Sequence, residues 1–160
     1  MKNLLFTCLL FTALGFCVSC GDDAEEIAPI EFKEQDLQGF INGKDWIYKI
    51  GRVVFDQNRL FMNIYEESSI DICSAFPSGN LVLFSVPNSR GYIELKVGDF
   101  NSSQTVALYD ELANENIIAT EGAIEILTID LDNKIVTGRM DVRTLTGDFM
   151  NGNFTLDYCF

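Results

Sequence analysis

Carboxylates are the side chains of this chain with the widest scope for chemistry, because its 160 residues include no histidine. Without an imidazole there is no Ser-His-Asp or Cys-His nucleophile pair, no His-ligated zinc and no imidazole base. Two carboxylates acting together, as in glycoside hydrolysis, remain possible. The densest acidic groups near predicted loops are Glu66, Glu67 and Asp71, and then Asp110, Glu111 and Glu115.

We interpret both groups as solvated loop charge. Either group could bind Ca²⁺ weakly or supply an acid and a base, but sequence spacing alone does not give the separation that glycoside chemistry needs. Residues 130–134 (Asp-Leu-Asp-Asn-Lys) begin like a calcium loop, yet Lys134 takes the third ligand position and no glycine follows, so a hairpin turn is favoured. The sequence therefore predicts no catalytic residue, no metal site and no cofactor.

Aromatic side chains offer a different chemistry, the stacking of a ring face on a sugar. A platform of this kind would draw on the aromatic residues of the predicted strands, and the alternative is that these residues simply belong to the core. The candidates are Trp46, Tyr48, Tyr65, Tyr92 and Tyr109.

The first 19 residues have the order of a cleaved export signal. Lys2 supplies a positive charge, residues 4–16 form an uncharged apolar run, and residues 17–20 (Cys-Val-Ser-Cys) end in small side chains before a cysteine. The segment resembles a bacterial lipoprotein signal, which implies that Cys20 becomes the N-terminus and carries acyl chains such as palmitate. Two or more chains hold a protein on a membrane. The alternatives are lipidation at Cys8 or Cys17, or a retained transmembrane helix.

Two cysteines remain once the signal and the lipidated residue are set aside, namely Cys73 and Cys159. Because an even number of cysteines remains in an oxidising compartment, the sequence predicts one disulfide between them. It would close a loop of about 86 residues and stabilise the fold by roughly 4 kcal/mol. Two separate thiols are the alternative.

Composition describes one acidic domain on a tether. Residues 20–160 carry 10 basic and 24 acidic side chains, a net charge of −14, which opposes nucleic-acid binding. The acidity favours solubility, with a cationic partner as the alternative. Residues 20–36 are predicted to be an acidic tether and residues 37–160 the globular domain. The acids just after Cys20 resemble a surface-export tag, so we expect surface display on the outer membrane, with a periplasm-facing position as the alternative.

The globular part is predicted to be all-β. Asn42-Gly43 lies between two apolar runs and predicts a hairpin turn, since both residues accept positive φ. Alternating strands with turn signals every eight to twelve residues follow, and Gly122 predicts a bulge or bend. The pattern favours a single antiparallel β-sandwich or flattened β-barrel of about 8–10 strands. Strand parity places the Cys73–Cys159 bridge at a sheet margin or outer face.

Several short motifs resemble those of a loose group of small Bacteroidetes-type lipoproteins. They are Ile-Asn-Gly-Lys-Asp-Trp at residues 41–46, Gly-Ala-Ile-Glu-Ile at 122–126, Val-Thr-Gly-Arg-Met at 136–140 and Gly-Asn-Phe-Thr-Leu at 152–156. The resemblance implies a β-rich, membrane-anchored body without an established activity. We therefore expect a non-catalytic binding or protein-interaction module, with an envelope protein as partner. The alternatives are a glycan- or lipophilic-ligand-binding domain, a purely structural envelope component without a soluble ligand and, less favoured, a carboxylate-based exported hydrolase.

Overall fold

The computed structural model describes residues 29–69, 71–74, 77–95 and 104–159. Several predicted features lie outside these ranges: the signal peptide, Cys20, the alternation that includes Ile70, the strand end at Lys96 and Val97, and Phe160. Within the described ranges, no helix has the length and apolar character needed to cross a bilayer.

The described residues form ten strands, in agreement with the predicted all-β class. The strands are β1 (Gln38–Ile41), β2 (Lys44–Ile47), β3 (Ile50–Asp56), β4 (Arg59–Tyr65), β5 (Leu81–Pro87), β6 (Gly91–Leu95), β7 (Val106–Asp110), β8 (Glu115–Asp130), β9 (Ile135–Thr144) and β10 (Phe149–Cys159).

Seven of these strands close into a barrel in the order β10, β3, β4, β5, β7, β8, β9 and back to β10. Outside the ring, β1 pairs with β10, β2 with β1, and β6 with β8. Of the two predicted architectures the barrel is therefore confirmed. The pairing within the ring is antiparallel except at one seam, where β3 and β10 are parallel. A ring with an odd number of strands cannot alternate direction throughout, so it must contain such a pair.

The Asn42-Gly43 turn is confirmed. Asn42 has φ of 51° and Gly43 has φ of 72°, as a two-residue turn with both residues at positive φ requires. The turn joins β1 to β2 and places Trp46 inside the protein, where its indole nitrogen donates a hydrogen bond to the carbonyl oxygen of Asn80 at 3.1 Å. A buried indole usually finds such an acceptor.

The longest strand, β8, is bent as predicted, although its bulges lie to either side of Gly122. The pairing of β8 with β9 shifts register between Ala119 and Glu121 and again between Ile126 and Thr128. Gly122 itself has φ of 114°, and a Cβ built on it would lie 2.0 Å from the carbonyl oxygen of Asp141. The glycine thus permits a close approach of two backbones that no other residue would allow.

Side chains fill the barrel interior, as expected for a ring of about this size. The largest of those with less than 2% exposure come from β1, β2, β4 and β7 to β10 and from the residue before β1. They are Leu37, Ile41, Trp46, Leu60, Met62, Ile64, Leu108, Ile124, Ile126, Met140, Met150 and Leu156.

The predicted disulfide is present, with the Cα atoms of Cys73 and Cys159 5.4 Å apart. Cys159 has the opposite parity to Phe154 and Leu156, which face the core, so the bridge lies on the outer face as predicted. It fastens the long β4–β5 connection to the end of β10, and Ile72 in that connection is buried.

Residues 29–36, here called the N-terminal strap, lie across the outer face of β9 and β10. The backbone N–H of Glu31 donates to Oδ2 of Asp141 at 2.9 Å, and that of Lys33 donates to Oδ1 of Asn151 at 2.9 Å. The side-chain amide of Asn151 donates in return to the carbonyl of Glu31 at 2.8 Å. The strap, which the sequence assigned to the acidic tether, is thus hydrogen-bonded to the barrel.

The strap explains two buried polar side chains on an outer strand face. Asp141 is 1% exposed and Asn151 is 5% exposed, because the strap covers both. Arg143 also donates to Asp141, with Nη2 2.8 Å from Oδ2. A buried polar group without its partner would be costly, so each contact helps to keep the strap in place.

Substituting Asp141→Ala should loosen the strap while the barrel stays folded. The loss of an acceptor shared by Glu31 and Arg143 should lower the free energy of unfolding by about 1–3 kcal/mol. Hydrogen exchange should show faster exchange at the amides of Glu31 and Lys33. Glu94→Ala, at an exposed position, is the control and should leave both amides protected. Unchanged protection in Asp141→Ala would contradict this role.

Candidate functional site

The first predicted acidic group fastens its own loop. Oε1 of Glu66 accepts a hydrogen bond from the N–H of Asn80 at 3.0 Å, and Oε2 of Glu67 accepts one from the hydroxyl of Ser78 at 3.2 Å. Hydrogen bonds from Ser74 and from the N–H of Cys73 hold the pKa of Asp71 below its usual value. These three carboxylates thus have structural partners within residues 66–80.

The predicted hairpin turn at residues 130–134 is confirmed. Asp130 accepts hydrogen bonds from the backbone N–H of Asn133 at 2.9 Å and from its side-chain amide at 2.7 Å. Lys134 has φ of 57° and leads into β9. Among the residues that the structure describes, no group of three or more His, Cys, Asp or Glu side chains could hold a metal ion.

A cluster of hydrogen-bonded polar side chains lies at the end of the barrel where β7 and β9 finish. This end cluster consists of Asn42, Asp110, Thr144, Thr146 and Asp148. The side-chain amide of Asn42 donates to Oδ2 of Asp110 at 2.5 Å, and its backbone N–H donates to Oδ1 of Asp148 at 2.7 Å. One residue of the β1–β2 turn therefore joins two carboxylates that are 68 and 106 positions away in the chain.

The remaining oxygens of the end cluster also have partners. Oδ1 of Asp110 accepts from the N–H groups of Leu112 at 3.0 Å and Ala113 at 3.4 Å. Oδ2 of Asp148 accepts from the hydroxyls of Thr146 at 2.7 Å and Thr144 at 3.4 Å. The carboxylate of Asp110 thus closes the turn that follows it, and the carboxylate of Asp148 closes the turn that precedes it, as Asp does in many tight turns.

The electrostatics of the end cluster favour an ionised Asp110. The hydrogen bond from Asn42 contributes most to lowering its pKa, burial opposes the shift, and the backbone N–H groups of Ala113 and Leu112 lower it further. A carboxyl group that serves as general acid needs a raised pKa. Asp110 is therefore suited to holding the turn and unsuited to donating a proton near neutral pH.

Sequence analysis identified Asp110 but missed Asp148, Thr144 and Thr146. The segment Thr-Gly-Asp at residues 146–148 is a turn signal between two strands, and this was the available clue. Its contact with Asn42 depends on how the barrel closes, which no local pattern contains.

Two depressions border these residues. One of about 250 Å³ is lined by Asn42, Asp110, Ala113 and Thr146, among others. A larger one of about 470 Å³ lies beside the strap. Its lining includes Lys33, Glu121, Arg143, Asp148 and Phe149. Both are open to solvent, and both are lined by charged side chains together with apolar atoms.

The predicted aromatic platform is wrong for Trp46 and Tyr65, which are 1% and 3% exposed and offer no free ring face. Tyr48 is half-buried, its hydroxyl donates to the carbonyl of Thr155, and burial raises its pKa. The hydroxyl of Tyr109 donates to Asn114 at 2.9 Å beside the β7–β8 turn.

Tyr92 differs from the other candidates because half of its surface, 51%, is exposed. Its ring meets that of Phe32 in the strap edge-on, with centroids 6.3 Å apart. The guanidinium carbon of Arg139 lies 4.6 Å from the centroid of Phe32. Tyr92 thus helps to seat the strap on the barrel.

An outer apolar row crosses four neighbouring strands on another side of the barrel. It comprises Phe61 in β4, Leu83 in β5, Ala107 in β7 and Ile118 in β8. Leu83 pairs with Ala107 and Ala107 with Ile118. In β4 the partner of Leu83 is Asn63, and Phe61 lies two residues before Asn63, diagonally across from Leu83. Phe61 and Ile118 are 44% and 46% exposed. One clue to this row was present in the sequence, because residues 81–86 are largely apolar on both faces.

No protein-family model, curated protein or solved structure matches this chain.

The Asp110→Asn substitution should change the pH dependence of stability. Because the pKa of Asp110 is lowered in the folded protein, its ionised form stabilises the fold above pH about 4, and that contribution is lost as the pH falls through the lowered value. Urea unfolding should therefore find Asp110→Asn less stable than wild type at pH 7, with a difference that shrinks by pH 2.

Glu111→Gln is the matched control, since Glu111 is the exposed neighbour of Asp110 in sequence. It should leave the unfolding free energy nearly unchanged at both pH values. A stability difference for Asp110→Asn that stays constant from pH 7 to pH 2 would contradict the assigned role of the carboxylate.

Proposed function

We propose that this chain is a non-catalytic lipoprotein that is anchored to the outer membrane through Cys20, displayed at the cell surface, and binds an envelope protein through its barrel. The lipoprotein-type leader supports the anchor, and the short strand motifs support kinship with small Bacteroidetes-type lipoproteins. The binding assignment rests mainly on the outer apolar row.

The outer apolar row supports a protein partner for two reasons. Its side chains stand on paired strands, so they are held in fixed positions and form a preorganised surface. Phe61 and Ile118 are 44% and 46% exposed although they are large and apolar. Exposed apolar groups that adjoin one another mark interaction surfaces more often than single ones do.

A binding role is also favoured over the hydrolase alternative by the state of the carboxylates. Asp110 and Asp148, which line one depression together with Glu115, accept hydrogen bonds on both of their oxygens. Glycoside hydrolysis would need one of the pair protonated and the other free to attack or to activate water. The lowered pKa of Asp110 supports neither a proton donor nor a shared proton.

Glycan binding is the second candidate, and the depression of about 470 Å³ beside the strap favours it. The half-buried ring of Phe149 lines this depression. It also packs against the ring of Phe40, and the two ring centroids are 5.4 Å apart. Glu121 and Arg143 line the same depression. A ring face beside charged hydrogen-bonding groups is the combination that sugar binding uses.

Site-specific photo-cross-linking in cells tests the proposal. A photoreactive phenylalanine analogue at Ile118 should give one reproducible protein adduct, whereas the same analogue at Leu131, in the β8–β9 turn, should give none. Cys20→Ala should release the protein from the membrane fraction and reduce the adduct. Equal labelling from both positions would contradict binding through the row. Membrane retention of Cys20→Ala would contradict the anchor.

A further inference from the structure

Two turn tips carry leucines that are almost wholly exposed. Leu112, between β7 and β8, is 82% exposed, and Leu145, between β9 and β10, is 85% exposed. Both values exceed those of the other exposed large apolar residues of the described chain, which lie between 37% and 59%. Nothing in the packing of the barrel requires a leucine at either tip.

The two tips lie side by side. Asn42 binds Asp110, just before the first turn, and Asp148, at the end of the second. Ala113 and Thr146, each next to one of the leucines, line the same depression of about 250 Å³. The end cluster therefore fixes the two turns relative to each other, so that both leucines project from one end of the barrel.

The chain enters the barrel at this same end. Nη2 of Arg143 donates to the carbonyl of Pro29 at 3.3 Å, and Pro29 lines a depression together with Thr144 and Gly147 of the β9–β10 turn. Cys20 is nine positions before Pro29 in the sequence, and nine extended residues span at most about 30 Å. The proposed anchor therefore cannot be further than that from Pro29, which lies at this end of the barrel.

The N-terminal strap does not begin at the opposite end of the barrel. Its turns are at residues 57–58, 88–90 and 131–134, and its most exposed leucine is Leu131, at 59%. To bring that end to the bilayer, the tether would have to extend along the whole barrel. The anchor therefore favours contact by the end that carries Leu112 and Leu145.

We infer that this end docks on the membrane that holds the acyl chains of Cys20, with Leu112 and Leu145 inserted among the lipids. The inference rests on the proposed lipid anchor. Two leucines are enough for docking for two reasons. The tether raises the effective concentration of the barrel at the membrane, and the transfer of each leucine side chain from water into lipid is favourable. Glu111 and Glu115 flank Leu112, so the surface that fits is a zwitterionic one.

Fluorescence quenching by brominated lipid tests the docking. The lipidated full-length protein would carry Leu145→Trp or Leu112→Trp and be reconstituted on phosphatidylcholine vesicles with brominated acyl chains. The new indole should be quenched at least twofold more strongly than that of the matched control, Leu131→Trp. The unsubstituted protein, whose Trp46 is buried, supplies the background.

Flotation of the same vesicles separates the two claims. If the protein floats with the vesicles but both tip variants are quenched no more than Leu131→Trp, the anchor stands and the docking is overturned. If the lipidated protein does not float with them, both are overturned. Replacing half of the lipid with phosphatidylglycerol should weaken quenching at Leu112→Trp, and stronger quenching there would overturn the assignment to a zwitterionic surface.

Discussion

The close approach of β8 and β9 at Gly122 is the constraint on which the closed barrel depends. β8 spans 16 residues. Along one edge it pairs first with β7 and then with β6, and along the other edge it pairs with β9. Two register shifts and a positive φ at Gly122 make β8 irregular, and the strand pairs with all three neighbours. A side chain at this position would meet the backbone of Asp141, the residue whose carboxylate also holds the N-terminal strap.

The closure of the barrel determines which surfaces are available for binding. Because core side chains fill the ring, binding must use the outer face or the ends. The polar groups that the topology brings together at one end, around Asn42, hold turns in place and project two leucines beyond them. The outer apolar row stands on strands held on both sides. Under the two proposals, one side of the barrel faces a protein partner and one end faces the lipid of the anchor.

Much of the fold could be predicted from the sequence, since local chemistry determined it. The Asn42-Gly43 turn, the strand alternation and the opposite parity of Cys159 are consequences of side-chain size and backbone freedom over a few residues. The parallel seam between β3 and β10 could not be predicted, because it follows from the number of strands in the ring. The strap was missed because its partners, Asp141 and Asn151, are more than 100 positions away.

The functional surfaces were harder to predict for the same reason. Trp46 and Tyr65 have the residue types of a sugar-binding platform, but their burial depends on what closes over them. Phe61 and Ile118 look like core residues in sequence, yet their outward parity on a closed ring leaves them in solvent. Residue type suggests what a side chain can do, and only the closure of the barrel decides whether it faces a partner.

Urea unfolding of Gly122→Ala beside Gly147→Ala tests the central constraint most directly. Both glycines have positive φ, at 114° and 90°, but a Cβ would meet backbone only at Gly122. We predict that Gly147→Ala lowers the free energy of unfolding by about 1 kcal/mol, from backbone strain alone, and that Gly122→Ala lowers it by about 2–4 kcal/mol. Equal losses in the two variants would contradict the claim that barrel closure depends on the approach of β8 to β9 at Gly122.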